Sequence, residues 1–240
     1  MIKRETPMPD NTHSHDDHSE SCGCDLLHLL DGVDEFSHNV FPGNKELFRS
    51  LAHSQAPHTL FITCADSRVS PEMITQVRPG ELFVCRNIGN IVPAYGEMLG
   101  GVSAVVEFAV LALNVRQIVL CGHTDCGAMK GLAQGAEATA GMPTVQAWLR
   151  NAEAARSVVQ TRGLDENQVV QALVEENVRL QLTHLRTHPA VAARVAQGQL
   201  ELQGWVYDIG HGTISVFDDT HGRFESLGEA RSRLRKDTTG

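Results

Sequence analysis

Three short apolar runs, each followed by polar residues, are spaced along the first half of the chain. They cover residues 59–64, 81–86 and 117–122, and the last two read ELFVCR and QIVLCG. Residues 100–115, which separate the second run from the third, have the length and the small apolar side chains of a helix. Nearly continuous apolar strands separated by helices are typical of a parallel sheet that is covered on both faces.

The pattern elsewhere adds helices on both sides of these strands and a hairpin at the end. Residues 44–54 predict a helix with Asn44 as its N-cap, and residues 144–160 and 165–187 predict two longer amphipathic helices. Residues 201–219 predict two strands that are joined by a turn at Gly210, His211 and Gly212. The predicted fold class is therefore α/β, with a mostly parallel central sheet that carries an antiparallel edge and is flanked by helices.

The ends of the chain are polar. Residues 1–24 contain several His and Cys but little apolar material, so we expect a disordered tail, with capture of metal ions as the alternative interpretation. Residues 25–227 are predicted to form the folded domain, and residues 228–240 a polar C-terminal tail.

Composition and charge exclude some classes of partner. The 240 residues carry a formal net charge of −9, which argues against nucleic acid or an anionic membrane as the main partner. The N-terminus has no apolar segment typical of a secretion signal, and in a chain of this size without such a signal the six cysteines are not expected to form a disulfide framework. We therefore predict a cytoplasmic protein whose cysteines are thiols or metal ligands.

Reactive side chains lie where two of the predicted strands end. Cys64 closes the first run, and Asp66 and Arg68 follow it at alternate positions; His123 and Cys126 follow the third run. Because ligands gather at the carboxyl ends of strands in open α/β sheets, these segments are expected to meet. Two thiolates and one imidazole are a known catalytic zinc set, with a fourth position left for water. Two further thiols, Cys85 and Cys121, are interpreted as small core residues because they lie inside apolar runs.

These motifs resemble those of the β-class carbonic anhydrases. The matching segments are CADSRV, PGELFVCRNIGNIVP, CGHTDCGAMKG and GWVYDI, and the resemblance covers most of residues 44–217. Within the class the chain is most similar to the plant-type branch and to the bacterial enzymes of cyanate operons.

The resemblance implies a role for each site residue. It implies Cys64, His123 and Cys126 as zinc ligands, and Asp66 with Arg68 as the catalytic pair. It also implies a substrate-binding set, in which a glutamine donates a hydrogen bond at a dimer interface and apolar side chains line the pocket: Gln55, Phe83, Ile88 and Phe108.

The activity implied is the zinc-dependent, reversible hydration of CO2 to bicarbonate and a proton by zinc-bound hydroxide. Hydrolysis of carbonyl sulfide or carbon disulfide on the same scaffold is one alternative, and a non-catalytic zinc-binding protein is another. The resemblance further implies a homo-oligomer, either a dimer or a tetramer. It also allows a closed state in which Asp66 becomes a fourth zinc ligand.

Some bacterial members of the class hold bicarbonate at a second, non-catalytic site built from Trp, Arg and Tyr. Arg86 and Tyr207 match two of these positions, but Phe61 stands at the Trp position. We therefore expect that pocket to be absent or impaired, and the open form of the zinc site to be favoured.

Overall fold

The computed structural model of the chain describes residues 21–97 and 100–237, which fall into two compact units with the boundary in sequence between Ser54 and Gln55. The first unit contains helix α1 (Ser21–Glu35), a π-helical turn (Phe36–Val40), a 3₁₀ turn (Pro42–Asn44) and helix α2 (Lys45–Leu51). The rings of Phe36, Phe41 and Phe48 pack together with centroids 5.5–6.2 Å apart. The helix predicted over 44–54 is confirmed in a shorter form. Asn44 precedes it but does not cap it, since its side chain donates to the carbonyl of Val40.

The boundaries drawn from the sequence differ from those of the structure. Helix α1 begins at Ser21, so residues 21–24 of the expected tail are helical, while residues 1–20 lie outside the described part of the chain. The division at Ser54 also splits the domain predicted over 25–227. Near the other end, residues 227–237 form a helix rather than a polar tail, because Ala230 is buried and Arg233 donates two hydrogen bonds to Glu225.

Within the described residues of the second unit, six strands form one mixed sheet in the order β2-β1-β3-β4-β5-β6. The strands are β1 (Thr59–Cys64), β2 (Leu82–Asn87), β3 (Gln117–His123), β4 (Glu201–Asp208), β5 (Thr213–Asp218) and β6 (Arg223–Ser226). The first four run parallel, and β5 and β6 continue the sheet in antiparallel pairing. The predicted fold class is confirmed. Strand β6 was not predicted, because its four residues have no apolar run.

Helices lie along the sheet and between its strands. They are α3 (Pro71–Thr75), α4 (Gly101–Glu107), α5 (Gly127–Gln134), α6 (Pro143–Leu149), α7 (Glu153–Gln160), α8 (Glu166–Thr187), α9 (Pro189–Ala196) and α10 (Leu227–Asp237). The helix predicted over 144–160 is interrupted by a 3₁₀ turn at Arg150–Ala152, and the one predicted over 100–115 changes to a π-helical turn at Phe108–Ala112. Within the described residues, no helix combines the length and apolarity that crossing a bilayer requires.

Helix α8 packs closely on the centre of the sheet. Its buried residues include Val178 and Leu182, which lie over Gly204 of β4. A Cβ atom at position 204 would lie 2.8 Å from side-chain carbons of both residues, so only glycine fits this approach. The close contact holds α8 against the strands whose ends carry the reactive side chains.

Candidate metal centre

Cys64, His123 and Cys126 meet at the carboxyl edge of the sheet. Cys64 is the last residue of β1, His123 is the last residue of the neighbouring β3, and Cys126 directly precedes α5. Their candidate ligand atoms all lie within 4.8 Å of one another, and each residue is at least 94% buried, Cys64 being the most exposed at 6%. Parallel pairing of β1 and β3 thus brings together residues that are about sixty positions apart in sequence.

The histidine is oriented as a metal ligand. His123 Nδ1 lies 2.9 Å from the carbonyl oxygen of Thr124, so that nitrogen carries the proton. Its buried Nε2 has no hydrogen-bond partner among the described residues. With Nδ1 engaged by the backbone, Nε2 is the nitrogen available to a metal, and an orphaned buried nitrogen in a cluster with two thiols fits a zinc ion.

The two thiols of the centre have opposite pKa shifts. A hydrogen bond from Cys126 lowers the pKa of Cys64, against the effect of burial, and contacts with His123 and the Gly89 N–H lower it further. The thiolate form of Cys64 in turn raises the pKa of Cys126. Backbone N–H groups of Met129 and Ala128 in α5 oppose that rise. The site therefore favours one thiolate by itself, and a bound dication would stabilise the second.

The other described core thiols behave differently. Burial raises the pKa of Cys121 to about 12 and also raises the pKa of Cys85. Both thiols are buried inside their strands, Cys121 completely. Their interpretation as core residues is confirmed.

Asp66 and Arg68 form a two-pronged ion pair beside the candidate metal ligands. Arg68 Nε donates to Asp66 Oδ1 over 2.9 Å, and Nη2 donates to Oδ2 over 2.8 Å; the backbone N–H of Arg68 adds a third bond to Oδ1 over 3.0 Å. These bonds hold the pKa of the Asp66 carboxyl well below its usual range. Oδ2 lies 3.8 Å from His123 Nε2, so the carboxylate borders the site that the metal would occupy.

Asp125 supports Arg68 from the other side. Its carboxylate lies 3.4 Å from Arg68 Nη1 and 2.5 Å from Lys130 Nζ. Asp125 has a left-handed backbone conformation with φ of 59°, and it lies in sequence between His123 and Cys126. The turn that presents these two candidate ligands therefore also fixes the guanidinium.

Arg86 holds the main chain that carries Cys64 and Asp66. From β2, its Nη2 donates to the carbonyls of Asp66 and Val69, each over 2.6 Å, and its Nε donates to that of Cys64 over 3.2 Å. This structural role was not predicted from the sequence. The signal available was a charged residue at the end of an otherwise apolar strand.

A buried polar network joins α8 to the same centre. Asn177 Nδ2 donates to the carbonyl of Gly89 over 3.0 Å, and the N–H of Gly89 lies 3.4 Å from Cys64 Sγ. Gln181, one helical turn after Asn177, donates to its side-chain oxygen and accepts from the N–H of Val92. Sequence reasoning missed these residues, although two polar side chains four positions apart on the buried face of a helix were a usable signal.

Of the predicted substrate-binding residues, Ile88 lies next to the candidate metal centre of its own chain, whereas Phe83 and Gln55 lie farther away along the strands. Ile88 immediately precedes Gly89 and is 43% exposed. Phe83 pairs with Leu60, four positions before Cys64, which puts it about 13 Å away along the strand direction. The rings of Phe83 and Phe108 lie 5.9 Å apart, and Gln55 is exposed before the amino end of β1.

The residues considered for a second bicarbonate site are engaged in other contacts. Phe61 is fully buried and packs edge-on against Trp205, with ring centroids 5.9 Å apart. Tyr207 is half-buried beside them on the same face of the sheet. The absence of that pocket remains a prediction.

Comparison with known proteins identifies the family. The carbonic anhydrase family model matches residues 59–214. A carbonic anhydrase of Pseudomonas aeruginosa is 52% identical over 202 residues, which cover 84% of this chain and 91% of the relative. The solved structure of the β-carbonic anhydrase CcaA superposes with a TM-score of 0.83 at 40% identity, over 85% of this chain and 92% of that one.

A second solved structure, of tetrameric β-carbonic anhydrases from Sordaria macrospora, has a TM-score of 0.70 at 29% identity and covers 85% of this chain and 100% of that one. The cysteine and histidine ligands, the fold and these similarities agree. The chain belongs to the β-carbonic anhydrase family, the zinc enzymes that interconvert CO2 and bicarbonate.

Proposed function

We propose that Cys64, His123 and Cys126 hold the zinc ion of this carbonic anhydrase, that Asp66 orients the nucleophile, and that Arg68 positions Asp66. The observation that carries this proposal is the two-pronged Asp66–Arg68 pair beside three buried ligand atoms that lie within 4.8 Å of one another. A bound zinc ion would supply acidity, so that hydroxide is available near neutral pH.

Asp66 performs the positioning step. Its carboxylate is an anion at neutral pH even at the ordinary pKa of Asp, and Arg68 lowers that pKa further, so it can only accept a hydrogen bond. By accepting one from the O–H of the nucleophile, it aims an oxygen lone pair at the carbon of CO2. Arg68 balances the charge of Asp66, which would otherwise oppose formation of a hydroxide nearby.

The same ion pair favours the open form of the site. Both carboxylate oxygens of Asp66 accept hydrogen bonds from Arg68, and these bonds fix the orientation of the carboxylate, so Asp66 would have to leave the paired geometry to approach the metal as a fourth ligand. A structural zinc site normally has four protein ligands, and a catalytic site keeps one position open. The arrangement therefore supports an enzyme over a non-catalytic zinc-binding protein.

We further propose that the enzyme is a homo-oligomer, a dimer or a tetramer, in which Gln55 acts on the active site of a second copy. In its own chain Gln55 precedes the amino end of β1, whereas Cys64 ends that strand. Six strand residues span about 20 Å, which is too far for a hydrogen bond from Gln55 to a substrate beside Cys64. The tetrameric relatives from Sordaria macrospora add support.

Stopped-flow CO2 hydration tests the catalytic assignment. Asp66→Asn should retain zinc and lose on the order of 10²-fold or more in kcat. Cys64→Ser should lose the metal, and Asp219→Asn, which alters an exposed carboxylate paired with Arg186, should change neither property. Normal hydration by Asp66→Asn would contradict the proposal. The same assay with carbonyl sulfide or carbon disulfide as substrate tests the alternative hydrolase, which would turn these over faster than CO2.

Mixing two inactive variants tests the role of Gln55. If Gln55 acts across an interface, mixed oligomers of Gln55→Ala and Cys64→Ser chains contain sites with intact zinc ligands and an intact glutamine, so activity is partly restored. If Gln55 acts within its own chain, no mixed site is complete and mixing restores nothing. Light scattering of the same samples gives the oligomeric state.

We also propose a cytoplasmic location. The described cysteines Cys24, Cys64, Cys85, Cys121 and Cys126 are free thiols, and a reducing compartment keeps the two ligand sulfurs available for metal. Cell fractionation followed by detection of the protein would test this location.

A further inference from the structure

A cavity lies at the amino ends of the strands, at the edge of the sheet opposite the candidate metal centre. It encloses about 720 Å³ and is bordered by His58 before β1, by residues 114–117 leading into β3, and by Glu201 at the start of β4. This volume falls in the range of small-molecule sites. Because β1 has six residues, the cavity and Cys64 are separated by about 20 Å of strand, so it is not part of the metal centre.

The rim of this cavity is fixed by main-chain hydrogen bonds. The N–H of Arg116 donates to the carbonyl of His58, and the N–H of Glu201 donates to the carbonyl of Arg116, each over 3.0 Å. These bonds extend the pairing of β1, β3 and β4 to the edge of the cavity. A ligand would therefore meet a preformed site, which lowers the entropic cost of binding.

Arg194 of α9 lines this cavity, and its guanidinium is held in place by hydrogen bonds to uncharged groups. Its Nη2 donates to Asn114 Oδ1 over 2.8 Å, and its Nη1 donates to Gln199 Oε1 over 2.5 Å. Both acceptors are neutral amide oxygens, which fix the plane of the guanidinium without cancelling its charge. By contrast, the guanidiniums of Arg68, Arg156, Arg162, Arg186 and Arg233 all pair with carboxylates.

A second guanidinium borders the same cavity. Arg116 is exposed, and no residue in the described part of the chain forms a hydrogen bond or ion pair with its side chain. Glu201 is the carboxylate among the lining residues, so two guanidiniums outweigh one opposing charge. A local excess of positive charge in a chain with a net charge of −9 favours an anionic ligand at this position.

We propose that this cavity is a binding site for a small oxyanion, a phosphate or carboxylate group, recognised by Arg194 and Arg116. Planar guanidiniums match the oxygen atoms of both groups with paired hydrogen bonds. Two of the five N–H groups of Arg194 are used by Asn114 and Gln199, which leaves others to donate to the ligand. The site is separate from the CO2 chemistry and requires no change at the metal centre.

Titration calorimetry on the zinc-loaded full chain tests this site, with inorganic phosphate and acetate as separate probes. Wild type should bind at least one of them, and Arg194→Gln and Arg116→Gln should each weaken that binding about tenfold or more, which corresponds to one well-placed charged hydrogen bond. Arg231→Gln is the matched control, since it removes the same charge from the exposed face of α10. Tighter binding of phosphate or of acetate assigns the group that the site prefers.

Any binding of the probes at the metal centre would persist in the cavity variants, so a loss confined to Arg194→Gln and Arg116→Gln supports the proposal. Retained CO2 hydration shows that each variant is folded. If Arg194→Gln does not fold, the result for Arg116→Gln tests the proposal, because the Arg116 side chain forms no hydrogen bond or ion pair with a described residue. The proposal is overturned if wild type binds neither anion, or if all four proteins bind equally.

Discussion

Asn177 holds the peptide group of Gly89 from a distance of 88 positions in the sequence. The amide of Asn177 donates to the Gly89 carbonyl, and the N–H of Gly89 points towards the sulfur of Cys64. Gly89 has φ of 75°, a left-handed conformation that suits glycine, and a Cβ at this position would lie 3.0 Å from the Cβ of Ala128. One hydrogen bond from α8 thus orients a donor to a proposed metal ligand.

Replacing Asn177 should weaken the hold on zinc. We expect Asn177→Leu to speed the transfer of zinc to a chelator by roughly tenfold or more, because partners behind the ligands of a metal site typically contribute 10- to 100-fold in affinity. Asn167→Leu, at an exposed position of the same helix, is the matched control. Equal rates of zinc loss from both variants would refute a role for Asn177 in orienting Gly89.

Replacing Arg68 should reduce turnover without protonating Asp66. Loss of the guanidinium returns the pKa of Asp66 towards its ordinary value near 4, so the carboxylate is still an anion at pH 7. The expected loss in kcat for Arg68→Gln, on the order of 10²-fold, therefore comes from misplacement of the carboxylate. Arg68→Lys should rescue little, since an ammonium cannot make the paired bonds.

The measurement for Arg68 is stopped-flow hydration together with zinc content and the absorption spectrum of the cobalt-substituted protein. A shift in that spectrum for Arg68→Gln would report closure of Asp66 onto the metal. Arg186→Gln breaks an exposed ion pair with Asp219 and serves as the control. Full activity of Arg68→Lys would mean that charge alone, and not orientation, is what Arg68 supplies.

Activity should rise towards alkaline pH. Two thiolate ligands cancel the formal charge of zinc, so the metal acidifies water less than it does with three neutral histidines, where the pKa of bound water is about 7. Asp66 does not cause this rise of activity with pH, because its pKa is lowered. Its charge and its contribution to stability therefore persist above about pH 4 and are lost only in stronger acid. Hydration rates from pH 6 to 9.5 should climb throughout, with unchanged circular dichroism. A plateau below pH 7 would disagree with this charge argument.

Filling the space at Gly204 should destabilise the fold. Gly204→Ala places a methyl group 2.8 Å from carbons of Val178 and Leu182, and overpacking of this kind costs about 1–3 kcal/mol in the free energy of unfolding. Gly228→Ala is the control, because the nearest contact of a Cβ there is 3.9 Å away in an exposed stretch of α10. Denaturant unfolding of the zinc-loaded proteins compares them, and equal midpoints would show that α8 moves aside without cost.

The strands and the proximity of Cys64, His123 and Cys126 could be predicted from the sequence, for a physical reason. Buried parallel strands need continuous apolar runs, and such runs end where the chain leaves the sheet, so Cys64 and His123 marked the carboxyl edge directly. The order of strands β1 and β3 then brought Cys126 to the same place. Local pattern and the known location of sites in such sheets were sufficient here.

The supporting contacts were less predictable because their partners are main-chain atoms. Arg86 and Asn177 donate to main-chain carbonyl groups, and because every residue has one, the sequence does not indicate which carbonyl is bound. The C-terminal helix was missed for a related reason: α10 is polar along most of its length, and its contacts with the sheet include the ion pairs of Arg233 with Glu225 and Asp218. Such long-range contacts become visible only when the chain is folded.

The main-chain bonds of Arg86 have a consequence for how this site can vary. Because the guanidinium binds the carbonyls of Cys64, Asp66 and Val69, the loop is held by main-chain contacts that no substitution at the exposed Ala65 or Ser67 removes. Substitutions at those two positions are therefore expected to reshape the rim of the candidate site while Cys64 and the Asp66 carboxylate stay in place. A single arginine thus separates the part of the loop that is free to evolve from the part that must stay constant.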